Sequence, residues 1–386
     1  MNSIFRLSSL RNLLLLLIIT YFAQGVLYPI GSIISQGSLA FLLLISSFYF
    51  LKTLLLRNKS DFYVAWTVFL VVNIFGFVVT GDISNSYHFG MLKGIIIGFL
   101  PFYPFYYIAQ KGQLHERHLI YFFLAILPLT IISFHLFRIE VLTETGRDEM
   151  VNNIAYSLAY LIPFVFFFKK RRWLGIGFIL LILYYIILGS KRGAFVTGSI
   201  GVLIFAYYSM RTIDLRYQIR SYLLTIIGIG IMGYYAFELF AANEYLIQRL
   251  ESTGGGEARN FIYQSLWEAW YNNENSFFQL LFGFGFASSM KLSATGHLAH
   301  NDWLELLSNF GLVGVIPYLV LFFIGFRYVF KSDWSIDSRL ILFTVLVLWL
   351  IPTFFSMGYM TAAGVYRAIL LGYLFGSSDH SKNIKL

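Results

Sequence analysis

Three short stretches of this chain hold the residues whose types and spacing suit chemistry. The first is Gly189-Ser190-Lys191-Arg192-Gly193-Ala194. Two adjacent cations sit between long apolar runs, in a turn so short that both lie at a membrane surface. They read either as a snorkelling pair touching headgroups or as an anion clamp. A guanidinium fork matches phosphate oxygens in a bidentate way, and flanking glycines let a ligand approach the backbone. The second stretch centres on Arg259, with Arg249 upstream. Arg259 reads either as a solvated loop charge paired with Glu251 or Glu257, or as a second cation on the same anionic group. The third is Gly296-His297-Leu298-Ala299-His300-Asn301-Asp302-Trp303-Leu304-Glu305. Asp302 followed by Glu305 predicts a variant capping box at a helix start, a structural role for both acids. His300 then lies just before that helix, near its positive end. A positive end disfavours the imidazolium, so His300 reads either as a neutral general base facing water or as a histidine filling the membrane interface.

The elements that must position these residues are apolar. Of 386 residues, 58% are hydrophobic, 19% aromatic and 12% charged; that charged share is about half the share in a soluble domain. Such a composition excludes a cytosolic enzyme and a disordered chain. The absence of cysteine excludes disulfides, thiolate zinc sites and a cysteine nucleophile. Runs of the length a bilayer requires predict spans at 12–30, 38–56, 62–80, 92–109, 118–137, 151–168, 173–189, 193–210, 221–241, 303–326, 338–356 and 361–376. The basic start, Met1 to Arg11, precedes the first of these and reads as the flank of an uncleaved span. The fold class expected is therefore all-α: one polytopic transmembrane domain over 1–386, with about 12 transmembrane helices.

The spacing of the spans is irregular in one place. Residues 242–302 form a long loop between the ninth and tenth spans, where function usually resides. Gly254-Gly255-Gly256 reads as a flexible hinge within it. After the hinge, Phe261 or Ile262, Leu266 and Trp270 give a helical stripe, which predicts a short helix lying at the membrane surface. The aromatics alone read as a Trp-rich interfacial anchor.

Charge distribution orients the chain. With the N-terminus inside, 19 of the 28 Lys and Arg residues fall in inner segments and 8 in outer ones, with Arg367 inside a span. Of the 19 acids, 6 fall inside and 13 outside or at the outer edge. The net charge of +9 is thus a topology signal, with no nucleic-acid partner implied, and it predicts cytoplasmic termini. Lys191, Arg192 and Arg259 run against the outer trend. No outer segment holds two carboxylates separated by a single residue, there is no phosphate-binding Gly-x-x-x-x-Gly-Lys-Ser/Thr loop, and no span carries a chain of acids. This inventory suits an anionic, lipid-linked substrate handled on the non-cytoplasmic face.

At these same places the sequence resembles the O-antigen polymerase/ligase superfamily (Wzy-type polymerases and the O-antigen ligases). Ser190-Lys191-Arg192-Gly193-Ala194 is similar to that family's Ser/Thr-x-x-Arg-Gly/Ala turn. Glu257-Ala258-Arg259, running into an aromatic helix, is similar to its loop Arg motif. The stretch His300-Asn301-Asp302-Trp303-Leu304, continuing to Gly311-Leu312-Val313-Gly314, is similar to its His-Asn-x-x-Leu…Gly-Leu-x-Gly signature. The resemblance covers about residues 150–330.

It implies a GT-C-like fold with one large periplasmic loop, and a metal-independent glycosyltransferase of the bacterial inner membrane using undecaprenyl-diphosphate sugars. By motif, Arg192 and Arg259 would hold the donor diphosphate, with Lys191 and Arg249 in support. His300 would activate the acceptor hydroxyl. Asn301, Asp302 and Glu305 would support the site and cap its helix. No metal or other cofactor is implied, because the arginines would offset the leaving-group charge. Polymerase is the favoured activity, with donor and acceptor both lipid-linked repeat units and a chain-length regulator as a further partner. An O-antigen ligase, with lipid A–core as acceptor, is the alternative. A flippase of lipid-linked oligosaccharide and a scaffold protein are the readings from other classes.

Overall fold

The computed structural model describes residues 7–57, 59–145, 151–211, 254–271, 277–293, 295–331 and 333–385, with scattered positions between 219 and 238. Among the described residues there are helices and no strands. In chain order they are α1 (Leu7–Phe22), α2 (Ile33–Leu54), α3 (Asp61–Thr80), α4 (Ser86–Phe99), α5 (Phe102–Gln110), α6 (Glu116–Thr145), α7 (Ile154–Ala159) and α8 (Ile162–Val165). They continue with α9 (Arg172–Leu188), α10 (Arg192–Arg211), α11 (Gly254–Tyr271), α12 (Phe277–Phe282), α13 (Ser289–Leu292), α14 (Asp302–Val329), α15 (Ile336–Leu350) and α16 (Gly364–Lys385).

Among the described residues, eight segments are long and apolar enough to cross a membrane: Ile33–Leu54, Asp61–Thr80, Ser86–Gln110, Glu116–Val141, Lys169–Leu188, Arg192–Arg211, Asp302–Val329 and Ile336–Phe354. Leu7–Phe22 and Ile154–Val165 are apolar but shorter. The chain is an all-α, multi-pass membrane protein. Several expected boundaries differ. The first helix stops at Phe22 rather than near residue 30, and the chain then turns. The run over 151–168 is two short helices, interrupted at Tyr160–Leu161 with Pro163 opening the second. The expected span over 221–241 lies mostly outside the described residues.

The chain divides into two compact units. One comprises residues 1–42, 115–251 and 335–348; the other comprises 43–114, 252–334 and 349–386. In the first, α6 packs on α1 and α7, while α7 and α8 pack on α9 and α10. Lys169 joins it electrostatically, bonding Glu116 at 2.8 Å and Asp337 at 2.7 Å.

In the second unit α16 packs along α5, and α3 along α14. A Cβ at Gly372 would come within 2.9 Å of the Phe102 carbonyl, and one at Gly376 would overlap the Tyr106 carbonyl. Small residues four apart let helices meet backbone to backbone where no hydrophobic effect drives association. Aromatic rings fill the space beside this contact. Phe62 stacks on Phe375 at 4.0 Å, and Trp66 meets Phe99 at 4.5 Å.

One helix is broken where the site is built. Gly311 in α14 has φ 58° and ψ −147°, outside helical geometry. At the break the Ser308 carbonyl accepts from the Phe284 N–H at 2.8 Å, and the Asn309 carbonyl from the Gly285 N–H at 3.0 Å. Ser288 Oγ donates to the Ser308 carbonyl at 2.8 Å. The segment before α13 thus takes up carbonyls that a straight helix would have paired internally. A Cβ at Gly311 would stand 2.5 Å from the Leu280 carbonyl oxygen. Gly311→Ala therefore combines a left-handed backbone with a clash, and is expected to lower stability by about 1–3 kcal/mol from the backbone alone. The melting temperature of the purified protein in detergent checks this.

Candidate functional site

The first cluster belongs to the first unit. Helix α9 ends at Leu188, and Gly189 and Ser190 turn the chain into α10, which begins at Arg192. Ser190 is buried and has φ 47°, a left-handed conformation that side-chain-bearing residues rarely adopt. Asn152, 1% exposed, holds the turn from behind. Its backbone N–H donates to the Gly189 carbonyl at 2.9 Å, and its amide donates to the Phe134 carbonyl at 3.0 Å. Lys191 lies with Nζ 6.0 Å from the centre of the Tyr156 ring. Both cations therefore sit at the start of a 20-residue helix. That end carries partial positive charge, so a cation there is disfavoured and an anion favoured. Strain at Ser190 and two cations against the dipole are costs that an anionic ligand would offset.

The second cluster belongs to the second unit. Asn301, with φ −149°, is the N-cap of α14; its side-chain oxygen accepts from the N–H groups of Trp303 at 3.0 Å and Leu304 at 3.1 Å. This corrects the capping box expected at Asp302 and Glu305. The cap is Asn301, and both acids point into protein with 0% exposure. Glu305 accepts from the Ala299 N–H and from Ser289 Oγ, each at 2.6 Å. His300 lies between Ala299 and Asn301, exposed and with φ 50°. Its neighbours on both sides are fixed, one by the Glu305 carboxylate and one by the cap, so its backbone is held in a strained turn.

Asp302 fastens this turn to the loop before α16. It accepts from the Gly358 N–H at 2.8 Å, the Tyr359 N–H at 3.2 Å and the Tyr318 hydroxyl at 2.8 Å. Arg367 stands close enough for its charge to act on Asp302. It donates to the Gly358 carbonyl at 2.7 Å and lies 4.0 Å over the Trp349 ring. One peptide segment is thus held from both sides, its N–H by the acid and its carbonyl by the base.

Helix α11 brings Arg259 to this place. Ile262 and Leu266 are buried against Ala299, with Tyr263, Leu292 and Leu304 around them. The Tyr263 hydroxyl interacts with the Arg259 charge and with the Asn301 side chain. Burial raises this phenol above its ordinary range, with Arg259 and Asn301 opposing, so it is neutral at physiological pH. Trp270 Nε1 donates to the Leu280 carbonyl at 3.3 Å, tying α11 to α12. Two sequence expectations change here. The stripe of Ile262, Leu266 and Trp270 faces protein, while Phe261 is exposed. Gly254-Gly255-Gly256 forms the first turn of α11 rather than a hinge.

The structure therefore gathers Arg259, Tyr263 and the His300–Asn301 turn. Lys191 and Arg192 belong to the other unit. Arg249 lies outside the described residues. Sequence reasoning missed Asn152, Tyr263, Tyr318, Gly358 and Ser289 as supports. Arg367 carried a signal, since a charge within a span faces protein. Compared with known proteins, the chain matches no family model and no curated sequence.

The Asp302–Arg367 arrangement is testable. Asp302→Ala strands two N–H groups and a hydroxyl and removes the acid whose charge acts with that of Arg367, with an expected loss of about 3–5 kcal/mol. Adding Arg367→Met to Asp302→Leu is expected to cost less than the two single changes summed. Detergent melting curves of the four proteins decide it; additive losses would show that the two residues act independently.

Proposed function

We propose that the protein is a polymerase of undecaprenyl-diphosphate-linked O-antigen or related surface-polysaccharide repeat units. The observation that carries this reading is the placement of Lys191 and Arg192 at the positive start of α10, behind a strained Ser190. A cation at that helix end opposes the helix field, and a diphosphate bound there would compensate it. The Tyr263–Asn301 interaction beside His300, with the Arg259 charge acting on the same phenol, supports it further. The resemblance described from sequence supplies the substrate class.

In this reading the chain crosses the inner membrane about twelve times in a GT-C-like arrangement, with cytoplasmic termini and a periplasmic site. By the resemblance, Arg192, Lys191 and Arg259 each count as ligands of the donor diphosphate, with Arg249 in support. His300 accepts the proton of the acceptor hydroxyl as the hydroxyl oxygen attacks the anomeric carbon. The bond from that carbon to the diphosphate breaks, and undecaprenyl diphosphate leaves with its charge held by the arginines. The growing glycan passes to the next lipid-linked unit. Asn301 and Glu305 position the His300 turn, and Asp302 anchors it.

The test is glycan length in a deletion strain carrying variant genes. Arg192→Ala, Arg259→Ala and His300→Ala are each expected to cut extension by on the order of 100-fold or more while membrane abundance is kept. Arg192→Lys is also expected to be impaired, since an ammonium lacks the fork. Single-repeat products in the deletion strain support a polymerase. Full-length lipid-linked polymer unattached to lipid A–core would instead assign a ligase. A wild-type ladder from all three variants would leave only a scaffold role.

A further inference from the structure

Helix α11 carries a second stripe that starts in the packing around Ala299 and becomes exposed along the helix. Arg259, Tyr263, Trp267 and Tyr271 stand four residues apart. Each such step climbs about 6 Å and drifts about 40° around the axis. The stripe therefore begins where Tyr263 interacts with Asn301 and feels the Arg259 charge, and winds outward. Exposure follows the drift: Arg259 and Tyr263 are half-buried, Trp267 is 49% exposed and Tyr271 65% exposed. The Trp267 and Tyr271 rings are nearly parallel, 9° apart in plane with centroids at 6.0 Å.

The neighbouring stripe on the same face is polar. Asn260, Gln264 and Glu268 are exposed, and the Gln264 amide donates to the Glu268 carboxylate at 2.7 Å. Flat aromatic planes flanked by amide and carboxylate groups suit a sugar. The C–H face of the ring lies on the electron-rich aromatic surface, and the hydroxyls bond the polar side chains. A membrane-anchoring helix is typically rich in Lys and Arg on its polar face. Along α11 the one cation from Arg259 onward is Arg259 itself, and Glu268 sits beside Trp267. The exposed Phe277, Phe278 and Phe282 of α12 carry no polar group and suit the acyl boundary of a membrane instead.

From this geometry we infer that the Tyr263–Trp267–Tyr271 stripe is a glycan-binding track, guiding the sugars of the lipid-linked repeat unit away from Arg259. The inference rests on the reading of Arg259 as a diphosphate ligand. It adds that the sugars nearest the diphosphate lie along α11, held by stacking and by Asn260, Gln264 and Glu268.

The experiment uses the full-length protein in nanodiscs. The probe is the native repeat-unit oligosaccharide released from its lipid diphosphate by mild acid, so that it carries neither lipid nor phosphate. Binding is followed by calorimetry, and transfer by the KM and kcat for intact lipid-linked units. Trp267→Ala and Tyr271→Ala change exposed residues. Each is expected to weaken oligosaccharide binding about tenfold and to raise KM with kcat nearly unchanged. Trp267→Phe is expected to retain most binding. Arg259→Ala is expected to leave binding of the phosphate-free sugar intact.

If transfer proceeds but Trp267→Ala alters neither binding nor KM, the track is wrong while the polymerase reading stands. If the oligosaccharide binds through Trp267 but no glycosidic bond forms, the polymerase reading fails while the track stands. Quenching by brominated lipids that disappears in Trp267→Phe would place the ring in the bilayer and overturn the track in favour of a membrane anchor.

Discussion

Backbone amides and carbonyls inside a bilayer have no water to bond, so every interruption of a helix must be satisfied by another part of the protein. The second unit is organised by this constraint. The break at Gly311 releases the carbonyls of Ser308 and Asn309, and the N–H groups of Phe284 and Gly285 occupy them. The loop before α16 leaves the N–H groups of Gly358 and Tyr359 without helical partners, and Asp302 accepts both. Ala299 N–H goes to Glu305. These repairs converge on the start of α14, so the requirement to satisfy the backbone also immobilises the His300 turn. Stability and site geometry come from the same bonds.

A different electrostatic logic governs the first unit. Its half-buried Lys169 is matched by Glu116 and Asp337. Lys191 and Arg192 instead stand where the helix field opposes them, beneath a backbone held in a left-handed turn at Ser190. Asn152 fixes that turn with its backbone N–H on the Gly189 carbonyl and its amide on the Phe134 carbonyl. Preorganised charge of this kind costs stability in the free protein and is recovered when an anion arrives.

Much of this was legible in the sequence because it depends on local pattern. Apolar run length announced the membrane helices, the polar break before Asp302 announced a helix start, and the exceptions to the charge trend marked Lys191, Arg192 and Arg259. What local pattern could not supply was partnership at long range. Asp302 and Glu305 fit a capping box, yet the groups that bond Asp302 lie 56 and 57 residues further on. Periodicity allowed Phe261 or Ile262 on the inner face of α11; only packing against Ala299 selects Ile262. Three consecutive glycines favour a hinge by propensity, and the structure nevertheless makes them a helical turn. The break in α14 was hidden because Gly311 lies within a run long enough to read as one span despite Ser308 and Asn309, and its positive φ depends on the segment packed across it.

The central claim is that these cations and His300 serve formation of a glycosidic bond. The direct measurement is reconstitution of the purified protein in proteoliposomes containing native undecaprenyl-diphosphate repeat units, with glycan and lipid products analysed by mass spectrometry. The account predicts glycans longer than one repeat, accompanied by free undecaprenyl diphosphate in an amount equal to the new bonds. Movement of repeat units across the bilayer with their length unchanged would contradict it and assign a transporter.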